Sequence, residues 1–141
     1  MLKIESLAYQ KMIRYCEEEK QESGNEACGY LVGRNGIVTD AKSVPNAHKS
    51  LTSYHMEPVA QLVLQKHLRQ LKLEEMAIYH SHVATQAYPS RRDIDNATAV
   101  QDFFDGYYVL VSLQEPGRPS VKAFKIREGH VQEEEIQEVV G

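Results

Sequence analysis

Three side chains able to hold a metal ion lie in one short run, His80-Ser81-His82-Val83-Ala84-Thr85-Gln86-Ala87-Tyr88-Pro89-Ser90-Arg91-Arg92-Asp93. In an extended strand residues two apart project to the same side, so His80 and His82 can both aim an imidazole nitrogen at one ion. Asp93, reached after a short loop, can complete the set. Two nitrogens and one oxygen from the protein leave the fourth position of a tetrahedral zinc ion to water, which is the arrangement of a catalytic rather than a structural site. The chemistry this pattern suits is hydrolysis.

Each of these residues also has a plainer role. Ser90 followed three residues later by Asp93 is a helix-capping box, and taken alone that reading prevails, because caps are far commoner than active sites. A histidine pair at strand spacing is, by itself, more often a satisfied core pair than a metal site. The four positions together are far more specific, and Ser90 can both cap a helix and face the site. His48, His55, His67 and His130 are scattered without ligand spacing. Of these, His55 beside Tyr54 is placed either to line a groove or to sit in solvent on a loop. Cys28, two residues after Glu26, reads as a small buried residue rather than a ligand.

The elements that must position these groups follow from periodicity. Ser6 can cap a helix whose buried stripe is Tyr9, Met12, Ile13 and Cys16, with Gly24 ending it. Asn35-Gly36 between two apolar runs, Ala27 to Gly33 and Ile37 to Thr39, predicts a hairpin. A strand is expected to end near Tyr54-His55-Met56, and Pro58 suits the first turn of a helix carrying Val59, Leu62, Val63, Leu68 and Leu71. From Glu75 to His82 the alternation predicts a strand with Met76, Ile78, His80 and His82 on one face. A helix then runs from about Arg91 to Phe104, with Ile94, Ala97, Val100 and Phe104 on one side and Gly106 closing it. Tyr107 to Leu113 is an apolar run typical of a strand covered on both faces. Glu115 to Pro119 is a turn, Val121 to Ile126 a strand, Glu128-Gly129 another turn, and Val131 to Val140 a last strand or short helix. Interleaved helices with hairpins imply a mixed, mostly antiparallel sheet flanked by helices.

The chain has 141 residues, 42% hydrophobic and 26% charged, ordinary composition for one globular domain spanning 1–141. A formal net charge of −4, with the basic residues dispersed, argues against a nucleic-acid partner. Cys16 and Cys28 read as reduced thiols, because a domain of this size needs no disulfide. The charged start, Met1-Leu2-Lys3-Ile4-Glu5, and the absence of any stretch of about 20 apolar residues predict a cytoplasmic protein with no membrane partner. The acidic run Glu133-Glu134-Glu135 reads as a solvated edge that discourages sheet-to-sheet association.

The run of His80-Ser81-His82, seven residues, Ser90, two residues and Asp93 resembles the signature of the JAMM (MPN-plus) metalloproteases, compact prokaryotic type. Upstream, Asn25-Glu26-Ala27-Cys28-Gly29-Tyr30-Leu31-Val32-Gly33 is similar to the segment in which that family carries a glutamate, with Glu26 at the matching position. The resemblance implies an α/β fold of the JAMM/MPN, cytidine-deaminase-like kind. It implies one Zn2+ per chain held by His80, His82 and Asp93, with Glu26 as general base and Ser90 donating to the oxyanion. The implied substrate is a ubiquitin-like or sulfur-carrier β-grasp protein, cut after its C-terminal Gly-Gly tail. Such a tail can add as a strand to a sheet edge. Rival readings are a peptidase of general peptides or lysine-linked conjugates, a non-catalytic MPN-type scaffold, and a zinc store or sensor. The Pro-Cys-x-x-Cys pair of zinc deaminases and the His-Glu-x-x-His helix of other zinc proteases are both absent.

Overall fold

The computed structural model describes residues 1–140. Its elements are β1 (Leu2–Glu5), α1 (Ser6–Glu22), β2 (Cys28–Arg34), β3 (Ile37–Val44), α2 (Pro58–Gln70) and β4 (Glu74–His82). They continue with α3 (Arg91–Ala99), β5 (Tyr107–Ser112), β6 (Ser120–Arg127), β7 (His130–Glu134) and β8 (Ile136–Val139). Asn35 and Gly36 both take positive φ, 55° and 76°, and so make the tight turn that joins β2 to β3. Glu128-Gly129 repeats the device between β6 and β7, with φ of 51° and 78°.

The strands lie in the order β7-β6-β5-β4-β2-β3-β1-β8. Parallel pairs are β1–β3, β1–β8 and β4–β5, and the other four are antiparallel, so the mixed, mostly antiparallel α/β expectation holds. β7 and β8 stand at opposite ends of that order, yet only Glu135 separates them in sequence. The sheet must therefore curl until its two edges approach. Its concave interior is filled by α1, whose Ala8, Met12 and Cys16 pack with Leu31, Val38, Ala77, Tyr79, Val109 and Ala123. On the opposite face α2 covers Cys28, Tyr30 and Val32 through Leu68. α3 covers Leu110 and Phe124 through Ala97.

Five expectations are corrected. Ser6 is the first helical residue and not the cap: β1 runs straight into α1 with Glu5 at the N-cap, and the Ser6 hydroxyl donates instead to the Val139 carbonyl at 3.4 Å. No strand forms at Tyr54-His55-Met56, where a single bridge joins Met56 to Asn46. α2 buries Leu68, with Ala60 and Leu64 half-buried along the same side, while Val59, Leu62, Val63 and Leu71 are exposed. The helix has two apolar sides, and the one carrying Ala60, Leu64 and Leu68 is used. α3 ends at Ala99, not Phe104, because Val100 leaves helical geometry and Phe104 turns back to meet Tyr108 edge-on at 5.6 Å. Gly106 is needed there, since a Cβ would lie 2.5 Å from the Met76 carbonyl oxygen. Finally, Val131 to Val140 forms two strands on opposite sheet edges.

Candidate metal centre

β4 alternates as the sequence predicts from Ala77 onward, but Met76, expected on the histidine face, packs instead with Ala77 and Tyr79 towards α1, where the pairing with β2 slips by one residue. Ala77, Tyr79 and Ser81 face α1, and Ile78, His80 and His82 face the side covered by α2 and α3. His82 is the last residue of the strand, so its ring sits at the mouth of the sheet. α3 begins opposite, and its first turn carries Asp93. The Ser90–Asp93 capping box is present: the Asp93 N–H donates to Ser90 Oγ at 3.1 Å, and the Ser90 N–H donates to Asp93 Oδ2 at 2.9 Å. The cap thus orients the carboxylate.

That same Oδ2 lies 3.1 Å from His80 Nε2 and 3.1 Å from His82 Nε2, and the two Nε2 atoms are 3.3 Å apart. Ligands held at 2.0–2.1 Å around a tetrahedral zinc ion are separated by about 3.3 Å. The triangle therefore has the dimensions of one face of such a site. His82 Nδ1 donates to the Gln86 carbonyl at 2.9 Å, which leaves the Nε2 lone pair facing the other two groups. Tyr54 stacks on the His80 ring with centroids 4.3 Å apart. His80 Nδ1 is buried without a partner among the described residues.

Glu26 arrives by strand register. Cys28 of β2 pairs with His80, so two further residues along the antiparallel ladder bring Glu26 opposite His82. Ser81 locks that extension, its N–H donating to the Ala27 carbonyl at 3.0 Å while its hydroxyl accepts from the Ala27 N–H at 2.8 Å. Asn46 holds it from the other side. Its side-chain amide donates to the carbonyls of Glu26 and Ser53, each at 3.0 Å, and accepts from the N–H groups of His48 and His55. Only 4% of the Glu26 surface is exposed, and Oε1 has no partner among the described residues.

The charges follow from these positions. Burial pushes the Glu26 carboxyl up to about 7; Asp93 pushes the same way, and His82 and Arg92 oppose it. For Asp93, burial also pushes upward, but bonds to His80, His82 and the Ser90 N–H outweigh it and hold the carboxyl well below the usual range. Burial lowers His80 despite Asp93. His82 is raised, because Asp93, the Gln86 carbonyl and Glu26 together overcome its burial. A buried anion facing two imidazoles, beside a second carboxyl that resists ionising, is an environment completed by a cation.

All five residues singled out from sequence thus stand together. His80, His82 and Asp93 can hold a metal, Glu26 is beside them, and Ser90 is at the cap. His48 and His55 stack 5.4 Å apart on the rim of a cavity of about 540 Å³ that also includes Tyr54, Arg92, Asn96 and Tyr108. His67 and His130 lie outside it. Cys16 and Cys28 are free and buried. The sequence reading missed Asn46, Tyr54, Ser81 and Gln86. Only Ser81 carries a signal, being a polar residue on the core face of a strand. β4 is paired on both sides and the sheet edges are β7 and β8, so no free edge adjoins the centre for strand addition.

Curled sheet, inner helix and a His-His-Asp triangle at a strand-to-helix junction define a JAB/MPN-type domain. The family description "Prokaryotic homologs of the JAB domain" matches residues 8–127, and the chain belongs to that family. It is 36% identical over 122 residues to a CysO-cysteine peptidase of Mycobacterium bovis, covering 85% of this chain and 81% of that one. It is 36% identical over 110 residues to a probable TtuB-protein conjugate cleaving protease of Thermus thermophilus, covering 77% and 67%. A solution structure of a Desulfitobacterium hafniense protein superposes with a TM-score of 0.78 at 31% identity, covering 99% of this chain and 95% of that one. Among the described residues no helix is long and apolar enough to cross a membrane.

Proposed function

We propose that the chain is a zinc-dependent peptidase that cleaves after the C-terminal Gly-Gly tail of a ubiquitin-like or sulfur-carrier protein. One observation carries the reading: a ligand triangle of zinc dimensions, 3.1, 3.1 and 3.3 Å on its sides, with a buried unpartnered carboxylate alongside. The relatives described as a CysO-cysteine peptidase and a conjugate cleaving protease support the substrate class. His80, His82 and Asp93 hold one ion per chain. When bound, zinc supplies Lewis acidity that brings the pKa of water from ~16 toward about 7.

The chain's own groups do the rest. Glu26 takes the proton of the attacking water as its oxygen bonds to the carbonyl carbon, then delivers it to the nitrogen as the C–N bond breaks. Ser90 uses an oxygen lone pair to cap α3, which leaves its O–H free to donate to the oxyanion, a contribution of roughly 3 kcal/mol for one good donor. The cavity of about 540 Å³, floored by Ile78 and Tyr108 and walled by Tyr54, Met56 and Ala97, receives the tail. Glycines suit it because the backbone must pass close to the centre.

The deciding experiment incubates zinc-loaded protein with sulfur-carrier proteins extended beyond their diglycine and follows intact mass. Loss of the residues after Gly-Gly is expected from wild type and not from Glu26→Gln. Intact substrate with fully loaded wild type would overturn the proposal.

A further inference from the structure

Four buried side-chain polar atoms have no partner among the described residues: Glu26 Oε1, His80 Nδ1 and the hydroxyls of Tyr79 and Tyr108. The first two belong to the metal centre. Tyr79 lies in the closed interior on the α1 side, with its hydroxyl against Gly29. Tyr108 is on the opposite face and lines the cavity of about 540 Å³. Tyr54 lines the same cavity and stacks on His80, so this cavity adjoins the ligands.

A second tyrosine on the same level of the sheet shows what Tyr108 lacks. Ile78 of β4 pairs with Tyr30 of β2 on one side and with Tyr108 of β5 on the other. The Tyr30 hydroxyl accepts from the side-chain amides of Gln61 and Gln65 of α2, at 2.8 and 3.2 Å. Around Tyr108, α3 contributes Ala97, and Phe104 meets the ring edge-on at 5.6 Å; neither side chain can hydrogen-bond. Tyr108 is only 7% exposed, so its hydroxyl has given up hydration and gained no bond in exchange, an unfavourable state. Burial and the nearby Tyr30 push this phenol up to about 12, and it stays a donor at neutral pH.

Register also sets its distance from the centre. Leu110 is level with His80, so Tyr108 stands two residues, about 7 Å, further from the ligand end of the sheet. Two residues of extended chain cover the same length.

We infer that Tyr108 is a substrate-binding residue whose hydroxyl donates to a main-chain carbonyl of the tail, on the N-terminal side of its diglycine. The inference rests on the peptidase reading above and adds to it the group that meets the tail's backbone. A main-chain carbonyl is the fitting partner because every residue carries one and it too needs a donor once it leaves water. Such a contact selects an extended backbone and not a particular side chain.

The test compares Tyr108→Phe with Tyr79→Phe, which each delete one unpartnered hydroxyl, on opposite faces of the sheet. The substrate is a sulfur-carrier protein extended by one alanine beyond its diglycine, and the enzyme is zinc-loaded. In Tyr108→Phe, KM should rise about three- to tenfold with kcat within about twofold of wild type, as expected for one hydrogen bond to a neutral acceptor. Its zinc content should match wild type, and its urea midpoint should equal or exceed that of wild type, because no bond within the protein is lost. Tyr79→Phe should leave KM unchanged. Overturning results are an unchanged KM in Tyr108→Phe, an equal rise in Tyr79→Phe, or a lower urea midpoint showing that the Tyr108 hydroxyl is bonded within the protein. Each of these leaves the peptidase reading standing, whereas no cleavage by loaded wild type overturns both.

Discussion

The two faces of β4 differ in what they ask of their neighbours. Towards α1, Ala77 and Tyr79 meet Met12, Cys16, Val109 and Ala123 in a closed apolar interior. Towards α2 and α3 the same strand presents His80 and His82, whose surroundings include two carboxyls, a stacked Tyr54 and a cavity open to solvent. The inner face obtains its free energy from burial, which is non-directional and tolerates small shifts. The outer face needs atoms held to tenths of an ångström, and it gets them from hydrogen bonds made by Ser81, Asn46, Ser90 and Gln86. Stability and chemistry are thus divided between opposite sides of one strand.

Substitutions should separate the two. The largest effect is expected from Asp93→Ala, which removes one corner of the triangle and the anion that offsets the histidines. Bound zinc should fall from one per chain to none by elemental analysis, and cleavage by about a thousandfold or more. Retention of stoichiometric zinc would show that the ion is held elsewhere. On the inner face, Met12→Ala should cost about 3 kcal/mol in urea unfolding through the cavity it leaves, while the folded fraction keeps its zinc affinity. A large loss of zinc affinity in the folded variant would erase the division proposed.

Glu26→Gln sharpens the contrast because it should lose activity and gain stability. A carboxyl raised from 4.5 to about 7 binds its proton more tightly in the folded protein. Wild type therefore loses stability as pH rises through that window, and the loss is complete above it. Metal-free Glu26→Gln should exceed metal-free wild type by roughly 2 to 3 kcal/mol at pH 8 and by little at pH 4. Equal stability across the range would mean that Glu26 is not confined as described. The smallest effect concerns the thiols. Burial pushes Cys28 up to about 12 and Cys16 higher still, so neither is a thiolate at pH 8. A thiol-specific reagent should label neither in the native protein and both in urea.

How much was legible beforehand depended on range. The β2–β3 turn was readable because Asn35-Gly36 dictates its own backbone, and the His80/His82 pairing because a strand has period two. The Ser90–Asp93 box was readable for the same local reason. α2 was misread where its sequence offers two apolar sides: Val59, Leu62 and Val63 satisfy helical periodicity as well as Ala60, Leu64 and Leu68 do, and only the sheet beneath selects between them. The last segment was misread because Val131 to Val140 suits one strand as well as two. The break at Glu135 exists only because the curled sheet brings its two edges together there.

Residue type and spacing by themselves pointed to His80, His82 and Asp93 as three groups that can converge, and to the family that carries this pattern, since those groups come from one continuous stretch whose local geometry is short-range. Tertiary structure alone decided that Glu26 stands opposite His82, that Asn46 and Ser81 hold it there, and that Tyr54 backs His80. The physical reason is register. A strand pairing brings together residues more than fifty positions apart, and nothing in the spacing of the chain encodes that offset until the sheet has formed.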